Sequence, residues 1–211
     1  SSTDKLFEQV RTFRPKLAGL TDERFSIKDV PDELKFCEWV FGKEALTRAA
    51  SLPDCDDVLV SVVGMCGLES VLCAFEHGKR VLLANKEALV AGGKLVMDAA
   101  AKLGANALLP VDSEHCAIFQ CLQGAQGNPI DKLYLTCSGG PFRTWPRADV
   151  LAATRSEALK HPTWSMGQKI TVDCSTLFNK ALEVIEAKYL FGVETSQVQV
   201  VIHPQSVIHS A

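Results

Sequence analysis

The stretch LPVDSEHCAIFQ, residues 109–120, decides how the fold of this chain is read. An apolar run, NALLPV at 106–111, ends there in the polar residues DSEH, and an apolar pattern with helical spacing then resumes. Such a run is typical of a buried strand that is followed by a helix. Because ligands bind beyond the carboxyl ends of parallel strands, two carboxylates and an imidazole at this point indicate a candidate site.

The segments before residue 111 alternate between strand and helix patterns. The predicted strands are KLAGL (16–20), DVLVSVVG (57–64), RVLLA (80–84) and NALLPV (106–111). The predicted helices are DKLFEQVRTF (4–13), KEALTRAASL (43–52), LESVLCAFEHG (68–78) and GKLVMDAAAKLG (93–104). Strands that alternate with helices predict a mostly parallel sheet with helices on both faces.

The pattern changes after residue 111, so a domain boundary is expected there. The later predicted elements are a strand at 132–140, a helix at 176–192 and a strand at 197–203, with a loop-rich region at 141–170. The expected fold class is therefore α/β: a partial Rossmann-like parallel sheet in residues 1–111, followed by an α+β domain in residues 112–211.

The composition excludes several classes of protein. The 211 residues are 47% apolar and 22% charged, and the formal charge is −3, so the chain shows no basic footprint for nucleic acid. No apolar run is long enough to predict a membrane span, and the first ten residues lack the apolar core of a signal peptide. Eight cysteines without a C-x-x-C pair indicate reduced thiols in a cytosol-like compartment rather than a zinc site.

Asp112 and Glu114 are two residues apart at the predicted strand end. On extended backbone such residues point to the same face, where two carboxylates repel each other unless a cation lies between them. Oxygen ligands favour a hard divalent ion such as Mg²⁺ or Mn²⁺. The alternative is a solvated loop after a strand, which is common.

The helix predicted at 176–192 carries Asn179, Lys180 and Glu183 on one side. An exposed ion pair between Lys180 and Glu183 is the simpler interpretation, with a stabilisation of a few tenths of a kcal/mol. If Glu183 instead approaches Asp112 and Glu114, it completes a metal site, and Lys180 and Asn179 then face an anionic ligand.

Two further positions follow predicted strands. Ser138 lies in the glycine turn TCSGGPF (136–142), and such turns expose N–H groups to phosphate, although many sharp turns share this composition. Lys86 in NKE (85–87) could meet a substrate or face solvent. The nearest match to a dinucleotide-binding G-x-G-x-x-G turn, VVGMCGLES at 62–70, lacks one glycine.

The loop HPTWSMG at 161–167 contains His161, Trp164 and Met166 between two hinge candidates. It is interpreted as a lid that covers a ligand with aromatic surface, or alternatively as a loop packed over a small apolar cluster. His209, farther along the chain, is assigned a structural role.

Together these motifs resemble the 1-deoxy-D-xylulose 5-phosphate reductoisomerase family. The matching stretches are LLANKEALV (82–90), LLPVDSEHCAIFQCLQG (108–124), SGGPFR (138–143), HPTWSMGQKITVD (161–173), TLFNKALEVIEA (176–187) and VIHPQSVIHS (201–210). They follow the order of the family and cover residues 81–211 nearly continuously, whereas residues 1–80 match more loosely.

The resemblance implies an oxidoreductase that isomerises and reduces 1-deoxy-D-xylulose 5-phosphate to 2-C-methyl-D-erythritol 4-phosphate, in the non-mevalonate route of isoprenoid biosynthesis. It implies NADPH and Mg²⁺ or Mn²⁺ as cofactors, a sugar phosphate as the small-molecule partner, and a homodimer without nucleic-acid or membrane partners. Residues 1–111 would form part of an NADPH-binding Rossmann-like domain, and 112–211 a catalytic, metal-binding domain with a flexible loop at about 138–168. The expected compartment is the bacterial cytoplasm, or the plastid in a eukaryote.

The resemblance also assigns roles to individual residues. The implied metal ligands are Asp112, Glu114 and Glu183, and the implied catalytic residues are Lys86, Glu114 and His161. The implied substrate-binding residues are Lys86, Ser113, Glu114, Ser138, His161, Trp164, Cys174, Asn179, Lys180 and Glu183. The implied cofactor-binding residues are Asn85, Glu87, Met166 and Gly167.

The chain departs from the family pattern in three places. Cys174 in DCST (173–176) stands where the family has a phosphate-binding serine, and a thiol is a weaker hydrogen-bond donor than a hydroxyl. The glycine-rich turn for NADPH and the C-terminal helical domain of the family are not found, so the chain is expected to be the middle of a longer enzyme. Two alternatives are an inactive fragment that binds metal or phosphate alone, and a related sugar-phosphate oxidoreductase.

Overall fold

The computed structural model describes residues 3–125 and 127–211. Its strands are β1 (Leu17–Leu20), β2 (Glu38–Phe41), β3 (Asp57–Val60), β4 (Arg80–Leu83), β5 (Leu108–Pro110), β6 (Leu133–Cys137) and β7 (Val198–Ile202). Its helices are α1 (Thr3–Phe13), α2 (Glu44–Ala50), α3 (Cys66–Glu76), α4 (Lys86–Ala101), α5 (Ser113–Gln123), α6 (Arg147–Leu151), α7 (Arg155–Ala158), α8 (Gln168–Ser175) and α9 (Phe178–Phe191). In this part of the chain, no helix combines the length and the apolar character that crossing a membrane requires.

The central sheet has the strand order β3-β4-β5, and all of its strands are parallel. Val81 and Leu83 of β4 are fully buried and pack with Val71 of α3 and with Leu89 and Val96 of α4. Since β4 and β5 run in the same direction, the residues that follow them lie at one edge of the sheet. The starts of α4 and α5 lie at this edge, because each helix follows directly after one of these strands.

The strands β1 and β2 form a separate parallel pair. They have their own core, in which Val10, Val30 and Leu34 are buried against partly buried aromatic residues such as Trp39. The predicted α/β class with parallel pairing is therefore confirmed, although the strands before residue 111 are divided between two sheets. The sequence patterns did not predict β2, which is short and half-exposed.

Residues 112–211 build around a second parallel pair, β6 and β7. Leu133 and Leu135 of β6 pack with Ile118 of α5 and Ala187 of α9 in a third core. On the other side of β6, the backbone of Ala211 exchanges hydrogen bonds of 2.8 and 3.0 Å with Tyr134. All eight cysteines are free, as the sequence predicted.

Two local predictions were wrong. The helix α4 begins at Lys86 rather than near Gly93, because the side chain of Asn85 caps it by accepting the N–H of Ala88. Asp112 is the N-cap residue of α5 and Glu114 lies in its first turn, so the two do not share a face of extended backbone. The region 141–170 is mostly loop, as predicted, and also contains α6, α7 and the start of α8.

The contact between α4 and α9 joins the two halves of the chain. Gly93 of α4 faces the ring of Tyr189 on α9, and a Cβ atom at this position would lie inside the contact distance of that ring. The absence of a side chain lets the helices approach closely enough for the first turn of α9 to reach the start of α4. This packing therefore sets the separation of the charged residues described below.

Gly93→Ala is expected to lower the free energy of unfolding. Overpacking against Tyr189 costs about 1–3 kcal/mol, which outweighs the roughly 1 kcal/mol by which alanine is favoured over glycine in a helix. Urea unfolding of the variant measures the difference, with exposed Ala91→Ser on the same helix as the control. Equal stability of Gly93→Ala and the unmodified chain would show that the two helices can separate without cost.

Candidate active site

Three helix N-termini converge at the carboxyl edge of the central sheet. The start of α4 brings Lys86, the start of α5 brings Asp112 and Glu114, and the first turns of α9 bring Asn179, Lys180 and Glu183. Leu177, just before α9, has a left-handed backbone with φ of 62°, which ends α8 and reverses the chain into α9. The sequence prediction that these charged residues meet is borne out in the geometry.

Two buried lysines lie between the three carboxylates. The Nζ atom of Lys86 is 2.9 Å from Asp112 Oδ2 and 2.7 Å from Glu183 Oε1. The Nζ atom of Lys180 is 3.2 Å from Glu114 Oε1 and also contacts Glu183 Oε2. The side chain of Glu183 is 1% exposed, so its charge depends on these two ammonium groups rather than on water. The prediction of a surface pair between Lys180 and Glu183 is thus excluded.

The lysines and carboxylates shift the pKa values of one another. Burial alone would lower the pKa of Lys86, but the charges of Glu183 and Asp112 outweigh it and raise the pKa above its ordinary value. Burial would raise the pKa of Asp112, but a hydrogen bond from His115 and the charge of Lys86 hold it far below the ordinary value. The pKa of Glu114 is raised, by burial first and then by the charge of Glu183.

The three carboxylates fit a divalent cation. One oxygen each from Asp112, Glu114 and Glu183 lie within 4.8 Å of one another. The set contains oxygen donors alone, which suits Mg²⁺ or Mn²⁺ better than a softer metal. An entering cation would take over the charge balance that Lys86 and Lys180 now supply. The role of the three residues as metal ligands stays a prediction.

A cleft of about 360 Å³ opens in front of this cluster. Its lining includes these residues that the sequence predicted for the site: Asp112, Ser113, Glu114, Ser138, His161, Trp164, Met166, Cys174, Asn179, Lys180 and Glu183. Lys86 is not part of that lining and lies behind Asp112 and Glu183, 12% exposed. Its expected contact with substrate is therefore indirect in this conformation.

His161 and Ser138 form a polar pair on one wall of the cleft. The Nδ1 atom of His161 accepts the backbone N–H groups of Thr163 and Trp164, at 3.2 and 2.9 Å. Because N–H groups can only donate, a neutral ring carries its proton on Nε2, which then donates to Ser138 Oγ at 3.1 Å. Burial lowers the pKa of His161 and favours this neutral form. The hydroxyl proton of Ser138 is left to donate into the cleft.

The loop 161–167 covers one side of the cleft. The ring of Trp164 lies 6.2 Å from the ring of His209, and the Trp164 side chain is half-exposed. A Cβ atom at Gly140 would run into the backbone carbonyl of Cys174, so the glycine turn after β6 packs directly on the end of α8. Both Ser138 and Cys174 line the cleft. Burial raises the pKa of the Cys174 thiol to about 11, so it carries its proton at neutral pH.

The residues expected to bind a cofactor are only partly at the cleft. Asn85 is 1% exposed, and its amide donates to the carbonyls of Val62 and Gly64 at 2.7 and 2.9 Å. The carboxylate of Glu87 pairs with Lys169 of α8 at 2.8 Å. Of the two others, Met166 lines the cleft and Gly167 is the N-cap residue of α8. The side chain of Asn85 therefore serves the protein itself, and the cofactor role of all four stays a prediction.

Sequence reasoning assigned no specific role to Ser206, His115 or Glu186, and only a structural role to His209. Ser206 and His209 line the cleft, so the structural role assigned to His209 was incomplete. His115 and Glu186 lie behind the carboxylates and are completely buried. The signal available in the sequence was spacing: His115 is three residues after Asp112, and Glu186 is three residues after Glu183, which places each pair on one side of a helix.

The protein is an α/β protein with parallel strands. The cleft at the end of these strands has the features expected of a site for a divalent cation and an anionic ligand: three carboxylates, two lysines and a glycine turn. Two family models match the chain. Residues 1–93 match 1-deoxy-D-xylulose 5-phosphate reductoisomerase, and residues 108–191 match the 1-deoxy-D-xylulose 5-phosphate reductoisomerase C-terminal domain. The chain belongs to the 1-deoxy-D-xylulose 5-phosphate reductoisomerase family.

Relatives across the whole chain support this membership. The chloroplastic 1-deoxy-D-xylulose 5-phosphate reductoisomerase of Oryza sativa subsp. japonica is 46% identical over 214 residues, which is 100% of this chain and 45% of the relative. The enzyme of Clostridium perfringens strain 13 is 50% identical over 205 residues, 95% of this chain and 53% of the relative. The chain thus spans about half the length of the curated relatives it matches.

Solved structures show the same fold. A crystal structure of DOX-P reductoisomerase in complex with NADPH, fosmidomycin and magnesium superimposes with a TM-score of 0.87 at 40% identity, over 98% of this chain and 53% of that one. The 1-deoxy-D-xylulose 5-phosphate reductoisomerase from Zymomonas mobilis, in complex with NADPH, gives a TM-score of 0.83 at 38% identity, with the same coverage.

Proposed function

We propose that this chain forms the metal-binding and substrate-binding part of an enzyme that converts 1-deoxy-D-xylulose 5-phosphate to 2-C-methyl-D-erythritol 4-phosphate. The reaction consists of an isomerisation and a reduction that depend on NADPH and on Mg²⁺ or Mn²⁺. The observation that carries this proposal is the cluster of Asp112, Glu114 and Glu183 at the cleft. The relatives that were crystallised with NADPH, fosmidomycin and magnesium support it.

Asp112, Glu114 and Glu183 would hold the cation. When bound, it supplies Lewis acidity that stabilises negative charge on oxygens of the ketose phosphate. Glu114 is proposed as a catalytic residue as well, since it lines the cleft in which the substrate would lie. Lys86 supports the site from behind, since its ammonium contacts the carboxylates of both Asp112 and Glu183.

The opposite wall of the cleft suits the phosphate. Ser138 can donate its hydroxyl proton because its oxygen already accepts from His161. Cys174 and Asn179 extend the polar surface there. Trp164 and Met166 lie on the loop that would exclude water from the reacting atoms. The exclusion of water would favour hydride transfer over hydrolytic side reactions.

The proposed division into residues 1–111 and 112–211 stays a prediction, since Tyr189 and Leu190 of α9 pack against the core of the first part. The first part would contribute to NADPH binding and the second would carry the metal. The flexibility of the loop at about 138–168, the homodimer and the compartment stay predictions. The relatives include bacterial enzymes and a chloroplastic one, so either compartment is compatible with the family.

Oxidation of NADPH by the 211-residue chain, with 1-deoxy-D-xylulose 5-phosphate and Mn²⁺, tests the proposal. Turnover that requires both the ketose phosphate and the metal is expected if the chain holds enough of the cofactor site. Binding of Mn²⁺ without turnover would favour the alternative of a fragment that binds metal or phosphate alone. Faster turnover of another ketose phosphate would favour a related oxidoreductase, and a chain that binds neither Mn²⁺ nor phosphate would overturn the proposal.

Cys174→Ser is expected to tighten the binding of inorganic phosphate to the chain. A hydroxyl is a stronger donor than a thiol, and one additional hydrogen bond of about 1 kcal/mol corresponds to a roughly fivefold lower dissociation constant. Calorimetric titration with phosphate in the presence of Mn²⁺ measures it. Cys121→Ser on the exposed side of α5 is the matched control. Weaker or unchanged phosphate binding by Cys174→Ser would show that residue 174 does not donate a hydrogen bond to phosphate.

A further inference from the structure

A second charged group lies behind the carboxylates of the cleft. It consists of His115 and Glu186, both 0% exposed, together with the inner oxygen of Asp112. The Nδ1 atom of His115 is 3.1 Å from Asp112 Oδ1 and 3.4 Å from Glu186 Oε2. Its Nε2 atom is 3.0 Å from the backbone carbonyl oxygen of Glu183. The ring of His115 therefore contacts the side chain of one proposed metal ligand, Asp112, and the backbone of another, Glu183.

The hydrogen-bond partners decide how the ring is oriented. A carbonyl oxygen only accepts, so Nε2 of His115 donates to Glu183. If Nδ1 carried no proton, its lone pair would face two carboxylate oxygens, which would repel the ring from Asp112. An Nδ1–H that donates to Asp112 Oδ1 removes this conflict and leaves Asp112 Oδ2 turned towards Lys86.

Glu186 faces the same Nδ1 atom of the ring as Asp112, with its Oε2 atom at 3.4 Å. Neither of its carboxylate oxygens has a hydrogen-bond partner within residues 3–125 and 127–211, although both are buried. A buried carboxylate without partners is costly, and the ring of His115 at 3.4 Å is what compensates it. The cleft and its surroundings then hold four carboxylates against Lys86, Lys180 and the ring of His115.

We infer that Glu186 is a positioning residue that acts through His115 to hold the Asp112 carboxylate in the orientation that binds the cation. The inference rests on the proposed role of Asp112 as a metal ligand. His115 bonds to Asp112 at one end of the ring and to the backbone of Glu183 at the other. It therefore fixes the separation of the two ligands, while Glu186 lies against the same Nδ1 atom as Asp112 and holds that end of the ring in place.

Glu186→Gln tests this inference, because it removes the charge with almost no change in volume. Calorimetric titration with Mn²⁺ is expected to show a dissociation constant about 10- to 100-fold higher than that of the unmodified chain, as for other residues that orient metal ligands. The electron paramagnetic resonance spectrum of bound Mn²⁺ should also change, which a merely structural role would not produce. Glu194→Gln is the matched control, since Glu194 pairs with Lys188 of the same helix but is exposed.

A second comparison tests whether Glu186 acts through His115. His115→Gln should weaken Mn²⁺ binding as well, and the double variant should bind no more weakly than the worse single variant. Additive losses would overturn the proposed route through His115. Should Glu186→Gln fail to fold, Glu186→Asp keeps the charge and should show a smaller loss of affinity.

The outcomes separate this inference from the proposed function. Normal Mn²⁺ binding by both Glu186→Gln and the unmodified chain would overturn the positioning role and leave the metal site of the cleft intact. No Mn²⁺ binding by the unmodified chain would overturn the proposed metal site and this inference with it. Two bound ions per chain would also overturn it, because Asp112, His115 and Glu186 would then be ligands of a second cation.

Discussion

Glu183→Gln is expected to abolish metal-dependent turnover and to weaken Mn²⁺ binding by about 100-fold or more, while the chain remains folded. Glu183 is the residue on which the charges of the site converge. Its Oε1 accepts from Lys86 and from the amide of Asn179, and its Oε2 contacts Lys180. An amide at this position is a poor ligand for a hard cation, and its NH₂ group would face one of the two ammonium ions.

The fold should survive because each lysine keeps a second carboxylate. Lys86 retains Asp112 and Lys180 retains Glu114. NADPH oxidation and Mn²⁺ calorimetry measure the two effects, and circular dichroism reports the fold. Glu8→Gln on the exposed face of α1 is the control. Near-normal activity of Glu183→Gln with added Mn²⁺ would refute the metal assignment.

Lys86→Met is expected to lower the free energy of unfolding by about 3 kcal/mol in the absence of metal. Methionine fills a similar volume but leaves Asp112 and Glu183 buried without the ammonium group that lies between them. A divalent cation binds the same carboxylates, so saturating Mn²⁺ should restore part of the loss. Unfolding in urea, with and without Mn²⁺, measures both effects.

The matched control for this variant is Lys94→Met on the same helix. The Lys94 side chain is 83% exposed and pairs with an exposed carboxylate, so its replacement should change stability by less than about 0.5 kcal/mol. Equal free energies of unfolding for Lys86→Met and Lys94→Met would show that the ammonium group of Lys86 does not contribute to stability. If Mn²⁺ did not restore any of the lost stability of Lys86→Met, Lys86 and the cation would not share the same carboxylates.

Asp112, Glu114 and Glu183 lie close together as expected, but the local geometry predicted for Asp112 and Glu114 was incorrect. Asp112 and Glu114 were placed on extended backbone, whereas Asp112 is an N-cap residue and Glu114 begins α5. The apolar run before them is typical of a strand, but no local pattern shows at which residue the strand ends and the helix begins. Asp112 and Glu114 are close together in either geometry, because a strand end and a helix start would both place them at the same edge of the sheet.

The buried charges behind the site could not be predicted in the same way. Lys86, His115 and Glu186 have the spacing of ordinary polar positions on helices, and such residues usually face solvent. Their burial comes from α4 and α9 packing together, with Lys86 and its partner Asn179 separated by 93 positions. The hydrophobic pattern also does not predict that α4 and α9 approach each other closely at Gly93, which makes that packing possible.

The sequence by itself determined the alternation of strands and helices, the parallel pairing, and the kinds of side chain that follow the strands. These properties depend on neighbours a few residues apart, so periodicity and residue type are enough to predict them. Tertiary structure decided which charges are buried together, which lysine neutralises which carboxylate, and where His115 and Glu186 support the site. Those properties depend on desolvation and on Coulomb interactions over a few ångströms between distant parts of the chain, and both exist only once the helices have packed.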